Sequence, residues 1–135
     1  MRIMSIDYGE ARAGIALTDE LNITAQGLKT IKHNGNDKIL LAELDQIMKE
    51  YSVETIVVGM PINMNGTKGP RAEKTEKFIH KLKCKYNKIK IEKVDERLTT
   101  VAAHRTMNML EIDKKKKKNI VDTISAVYIL EAYMK

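Results

Sequence analysis

Three acidic positions have the residue types and the settings for metal-assisted chemistry. Asp7 closes a short apolar run, Ile3-Met4-Ser5-Ile6-Asp7, and is followed at once by Tyr8-Gly9. A carboxylate at the end of an apolar strand is costly to bury unless it is paired or bound to a metal. A second acidic position closes the alternating run 89–95, where Asp95-Glu96-Arg97 stand in sequence. The third is Asp122, which shares a helical face with Ser125, Ala126 and Ile129 and therefore faces protein. Carboxylates converging from separate elements are what a divalent cation needs to activate water against a phosphodiester. Two such ions about 4 Å apart stabilise the attacking and leaving oxygens together. Any one of these acids alone is equally well explained as a helix cap or a salt bridge; the chemistry rests on the set. Adjacent strand residues point to opposite faces, so only one of Asp95 and Glu96 enters such a site. The other pairs with Arg97 or caps the helix that follows.

The elements that must position these acids follow from periodicity. Residues 2–8, 13–18 and about 24–31 read as three strands with short connections, an antiparallel meander. Asp37 is placed to cap a helix over 38–51, where Leu40, Leu41, Leu44, Ile47, Met48 and Tyr51 repeat with a helical period. Residues 54–59, Glu-Thr-Ile-Val-Val-Gly, form a β-branched strand of the kind buried on both faces in a parallel sheet. A helix carrying Ala72, Thr75, Phe78, Ile79 and Leu82 follows, then an edge strand over 89–95. A third helix is expected after Leu98-Thr99 and a fourth over about 119–134. This order predicts an α/β fold: a mixed sheet of five strands, a meander continued by right-handed parallel crossovers, with helices on both faces. Ligands of such sheets bind beyond the carboxyl ends of the strands, where Asp7, Gly59 and Asp95-Glu96 all fall.

The bulk properties bound the function. A chain of 135 residues, 43% apolar and 31% charged, is expected to form one globular domain over residues 1–135. No apolar run approaches the roughly 20 residues that cross a bilayer, and no signal-peptide pattern opens the chain. One cysteine, Cys84, leaves no internal disulfide and no paired-cysteine zinc site. A cytoplasmic protein without a membrane partner is expected. The net charge of +6 favours a polyanion such as nucleic acid, although a lysine-rich solvated surface gives the same number. With no Trp and one Phe, a base-stacking platform for single strands is disfavoured.

Several cations are candidates for substrate phosphates. Arg12 and Arg97 carry guanidinium forks that match phosphate oxygens, against the plainer role of neutralising a nearby acid. The Pro- and Gly-containing loop 61–70 reads as mobile, with Lys68 and Arg71 as the charges that would meet substrate. Lys114–Lys118 are five successive lysines that no helix can place on one face, so an exposed loop or frayed helix start is expected. Lys116 and Lys117 lie in this run, just before Asp122, where nonspecific backbone contacts would weaken with salt. His33, His80 and His104 are scattered and read as surface or capping residues.

Four ordered segments resemble the YqgF/RuvX family, a branch of the ribonuclease H-like superfamily. They are residues 7–16 (Asp-Tyr-Gly-Glu-Ala-Arg-Ala-Gly-Ile-Ala), Val57-Val58-Gly59-Met60-Pro61 with Asn65-Gly66-Thr67, residues 94–100 (Val-Asp-Glu-Arg-Leu-Thr-Thr), and residues 122–130 beginning Asp-Thr-Ile-Ser-Ala. Ser125 departs slightly, standing where Ala is common. The resemblance implies a ribonuclease H-like fold with a five-stranded mixed sheet, and phosphodiester cleavage that depends on Mg²⁺ or Mn²⁺. It implies Asp7, Glu96 and Asp122 as the catalytic metal ligands, and so prefers Glu96 over Asp95. It also implies a nuclease that matures the 5′ end of precursor 16S ribosomal RNA, with ribosomal particles as possible partners. Two alternatives stand beside it. One is a Holliday junction resolvase acting on branched DNA, which would have to be a symmetric dimer. The other is an rRNA-binding assembly factor with little catalysis. Monomer and homodimer both remain open. The actin-like ATPases share the Asp-x-Gly opening but need a second lobe that this chain is too short to form.

Overall fold

The computed structural model describes residues 2–63, 65–96 and 114–134, and of residues 114–122 it describes the backbone alone. Arg97 and the helix expected after Leu98-Thr99 lie outside the described residues. The apolar alternation of the N-terminal segment becomes β1 (Arg2–Tyr8). Met4 and Ile6 are fully buried on one face, while Ser5 and Asp7 belong to the other. Next come β2 (Arg12–Thr18), β3 (Ala25–Lys32), α1 (Asp37–Tyr51), β4 (Val53–Met60), α2 (Pro70–Lys85), β5 (Lys90–Asp95) and α3 (Lys114–Met134). The sheet order is β3-β2-β1-β4-β5. The β1–β2 and β2–β3 pairs are antiparallel, and the β1–β4 and β4–β5 pairs are parallel. The mixed sheet expected from periodicity is thus present, and β5 lies at its edge.

One face of the sheet is covered by α1 and α2. Leu40, Leu44, Phe78 and Leu82 pack there on Met4, Ile6, Ile15 and Val58. The other face is covered by α3, whose Ala126 and Leu130 sit on Ala16. Small residues bring this helix close: a Cβ on Gly27 would stand 2.1 Å from Cγ2 of Thr123. The Ser5 hydroxyl donates to the Ala126 carbonyl at 2.5 Å, which satisfies a buried polar group on each element.

Local chemistry differs from expectation at three places. Asn36, not Asp37, caps α1, its side chain accepting from the Lys38 amide at 3.0 Å. Asp37 instead accepts from the Tyr8 hydroxyl at 2.5 Å and from Lys81 at 2.9 Å. The lysine run is not a loop: it lies at the start of α3, which is described from Lys114. The loop 61–70 is built as a small hairpin, with Ile62 bridged to Lys68 and the Asn63 amide donating to the Thr67 carbonyl at 2.9 Å. Asn65 Oδ1 fixes its tip by accepting from the amide and hydroxyl of Thr67.

Candidate active site

Strand register assembles the site. Asp7 lies opposite Gly14 of β2, and Gly14 opposite Thr30 of β3. On the other side Ile6 pairs with Val58, so Asp7 is level with Gly59 of β4. Asp7 is therefore flanked across the sheet by two glycines. Gly59 pairs in turn with Val94 of β5, and Glu96 follows two residues later, past the strand end.

Gly59 explains how Glu96 reaches the centre. A Cβ built on Gly59 would stand 2.8 Å from Oε1 and 2.9 Å from Cγ of Glu96, and 2.5 Å from Cδ1 of Ile129. The missing side chain is thus the space that the Glu96 side chain occupies. From there Glu96 shares a side-chain hydrogen bond with Asp7. Asp95 pairs with Met60 in the register and falls on the opposite strand face. Of the two adjacent acids, Glu96 is the one brought to Asp7.

The electrostatics follow from that contact. Burial holds the Asp7 carboxyl well above its ordinary value of 3.8, and the hydrogen bond and charge of Glu96 push the same way. Arg71, at the start of α2, pulls it down. Without a cation, then, the Asp7 carboxyl keeps its proton to higher pH than a free carboxyl does.

The third acid, Asp122, is in α3. Its neighbour Thr123 touches Thr30, Oγ1 to Oγ1, at 3.1 Å, at the end of the Asp7–Gly14–Thr30 row. The helix backbone at Asp122 therefore passes that row; the Asp122 side chain lies outside the described residues. Among the described residues no group of three His, Cys, Asp or Glu side chains is gathered. Asp7 and Glu96 supply two adjacent carboxylates, so the donor chemistry fits a hard cation.

The candidate phosphate contacts separate. Arg12 shares strand face with Gly14 and hence with Asp7, one pair further toward the open end. Its carbonyl accepts from the Gly9 amide at 2.9 Å, and a Cβ on Gly9 would stand 2.6 Å from that oxygen. Arg71 lines a cleft of about 230 Å³ beside Tyr8 and Gly9. Lys68 is directed elsewhere: it pairs with Glu76 at 2.6 Å on the surface. Lys116 and Lys117 lie in the first turn of α3, with their side chains outside the described residues, as is the whole of Arg97.

His33 corrects a reading made from its neighbours. It is fully buried. Its Nδ1 accepts from the Gly35 amide at 3.1 Å, which leaves the proton on Nε2 to donate to the Gly9 carbonyl at 2.9 Å. The ring stacks on Tyr8, and Tyr8 stacks on Phe78. The turn after Asp7 is thus held from below by a stack of three rings. The available sequence signal was period two: Ile31 faces the core, and His33 continues that alternation. His80 lies beside Cys84 on the exposed side of α2, and His104 lies outside the described residues.

A five-stranded mixed sheet with paired acids at the carboxyl ends of its parallel strands is a ribonuclease H-like arrangement. Solved structures of that fold agree. RuvC from T. thermophilus, in complex with a Holliday junction substrate, superposes with a TM-score of 0.58 at 11% identity, over 99% of this chain and 96% of that one. The fowlpox virus resolvase, in complex with Holliday junction DNA, gives 0.57 at 14% identity over the whole of both chains. Residues 1–135 match the RuvX family, described as Holliday junction resolvase, and the chain belongs to that family. A relative from Ruminiclostridium cellulolyticum, named "Putative pre-16S rRNA nuclease", is 56% identical over 99% of this chain and 94% of its own length. A relative of the same name from Acetivibrio thermocellus is 49% identical over 99% and 95%.

Proposed function

We propose that this chain is one nuclease domain that cleaves phosphodiester bonds with a divalent metal, Mg²⁺ or Mn²⁺, and serves in 5′-end maturation of precursor 16S ribosomal RNA. The observation that carries the reading is the Asp7–Glu96 contact, two carboxyls held together over a glycine at the mouth of the sheet. The names of the relatives support the RNA substrate. Asp7, Glu96 and Asp122 are the proposed metal ligands. A cation held there lowers the pKa of bound water and polarises the scissile phosphate. Asp7 and Glu96 would hold the cation in their ionised forms, and Gly59 keeps Glu96 within reach. Arg71 and Arg12 orient the phosphate from the α2 and β2 sides. Water is the nucleophile, so no side chain forms a covalent intermediate. The work is cytoplasmic, on free precursor RNA or on ribosomal particles.

The family description favours a second reading, cleavage of a four-way DNA junction, which needs two symmetric sites in a dimer. Labelled precursor ribosomal RNA and a synthetic junction, each incubated with Mn²⁺, Mg²⁺ or EDTA, decide between them. Metal-dependent cutting of the RNA, lost in Asp7→Asn, is the expected result. Paired symmetric cuts in the junction with the RNA left intact would overturn it in favour of the resolvase. Binding of RNA without cutting by any metal would leave an assembly factor.

A further inference from the structure

The helix α2 sorts its charges. Arg71, Lys74, Lys77, Lys81 and Lys85 recur every three or four residues along one flank, and Glu73 and Glu76 border it on the side of Lys77. The distal pair has a structural task. Lys81 meets Asp37 at 2.9 Å and Lys85 meets Asp45 at 2.8 Å, tying α2 to α1. The proximal three are less engaged. Lys74 reaches Glu10 at 3.6 Å, with both side chains more than half exposed, a pair of little energetic weight. Lys77 has no ion-pair partner among the described residues, and the charge of Arg71 lowers the Asp7 carboxyl from the rim of the cleft.

Arg71, Lys74 and Lys77 line one cleft, and its wall begins at Tyr8-Gly9, the residues directly after Asp7. Arg71 sits in the first turn of α2, where the helix dipole disfavours a cation, so helix stability does not account for it. Among the described residues the one ring on the cleft wall, Tyr8, is committed to its stack with Phe78 and His33. Glu10 and Asp37 share the wall, paired with Lys74 and Lys81, so the surface offers a net positive charge without base stacking, which suits contact to phosphates rather than to bases. At 1.5 Å per residue the three cations extend about 9 Å, the length of two to three successive phosphates on one strand.

We propose that the Arg71–Lys74–Lys77 flank of α2 is a phosphate track that holds the RNA strand continuing away from the cleaved bond; this rests on the nuclease reading. The track binds without regard to sequence. It extends the site by Lys74 and Lys77, which lie on the α1–α2 side of the sheet, across from α3.

The test is the salt dependence of binding of a dye-labelled single-stranded RNA, followed by fluorescence polarisation in EDTA so that the strand stays intact. Wild type is compared with Lys74→Gln/Lys77→Gln and with Lys83→Gln/Lys88→Gln, which removes the same charge from exposed positions away from the cleft. Thermal melts of all three check the fold. The slope of log affinity against log salt is expected to fall by about 1.4 in the first variant, about 0.7 for each lost contact, and to stay at the wild-type value in the second. An unchanged slope in Lys74→Gln/Lys77→Gln, or an equal fall in both variants, overturns the track. Absence of salt-dependent RNA binding by wild type overturns the RNA reading itself.

Discussion

The Asp7 and Glu96 carboxyls share a hydrogen bond over the bare face of Gly59. Burial and the neighbouring Glu96 both favour the protonated form of Asp7, so its carboxyl holds a proton to higher pH than a free one in the absence of a cation. Proton and divalent cation are then competitors for one position.

Removing one carboxylate separates activity from stability. Asp7→Asn keeps a hydrogen-bonding group beside Glu96 but discards a ligand. Cleavage is expected to fall by more than about a hundredfold, since even the outer partners of metal ligands are worth about 10- to 100-fold. The melting temperature is expected to hold or rise, because the desolvated acid is gone. Rate and thermal melts on the same preparation check both halves.

The raised Asp7 carboxyl also sets a pH dependence, whose sign follows from proton counting. The folded state binds the Asp7 proton more tightly than the unfolded chain does. Stability from this group is fully present below the ordinary value of 3.8 and is lost as pH rises through the folded value. In EDTA, the stability of Asp7→Asn relative to wild type should therefore be smallest near pH 4 and grow as pH rises. A difference that shrinks with pH would contradict this.

Gly59→Ala places a methyl group where Glu96 and Ile129 already stand. Overpacking of this kind costs about 1–3 kcal/mol. Glu96 yields more readily than the α3 contact, since it lies past the end of β5. Metal-dependent cleavage is thus expected to fall further than the loss of stability explains, measured as rate at a temperature where the variant remains folded.

His33→Leu preserves bulk but leaves the Gly9 carbonyl and the Gly35 amide without their buried partner. Each unsatisfied group costs about 1–3 kcal/mol, so urea unfolding should show a loss of at least about 2 kcal/mol. His33→Gln, able to donate to Gly9, should recover part of it.

Much of this was legible in the sequence, for physical reasons that differ by element. The strands were readable because β1 and β4 carry apolar runs closed by Asp7 and Gly59, and α1 because its leucines keep a strict helical period. The choice between Asp95 and Glu96 was not readable from the strand itself. It depends on the space above Gly59, some 37 residues earlier in the chain. His33 looked like a surface or capping residue because Lys32 and Asn34-Gly35 surround it, yet its two ring nitrogens satisfy two backbone groups of the turns it joins. Lys68 looked free beside the site because its partner, Glu76, comes from the following helix. The three-and-four spacing of the α2 cations was visible; which of them α1 would occupy was not.

The most direct measurement is calorimetric titration of Mn²⁺ into wild type and Asp7→Asn near neutral pH, in two buffers of different ionisation enthalpy. If Asp7 and Glu96 hold the cation, wild type binds Mn²⁺ more tightly than Asp7→Asn does and releases more protons on binding, since burial and Glu96 raise the Asp7 carboxyl. Equal binding by both proteins would contradict the assignment of these two carboxyls as the metal-holding pair.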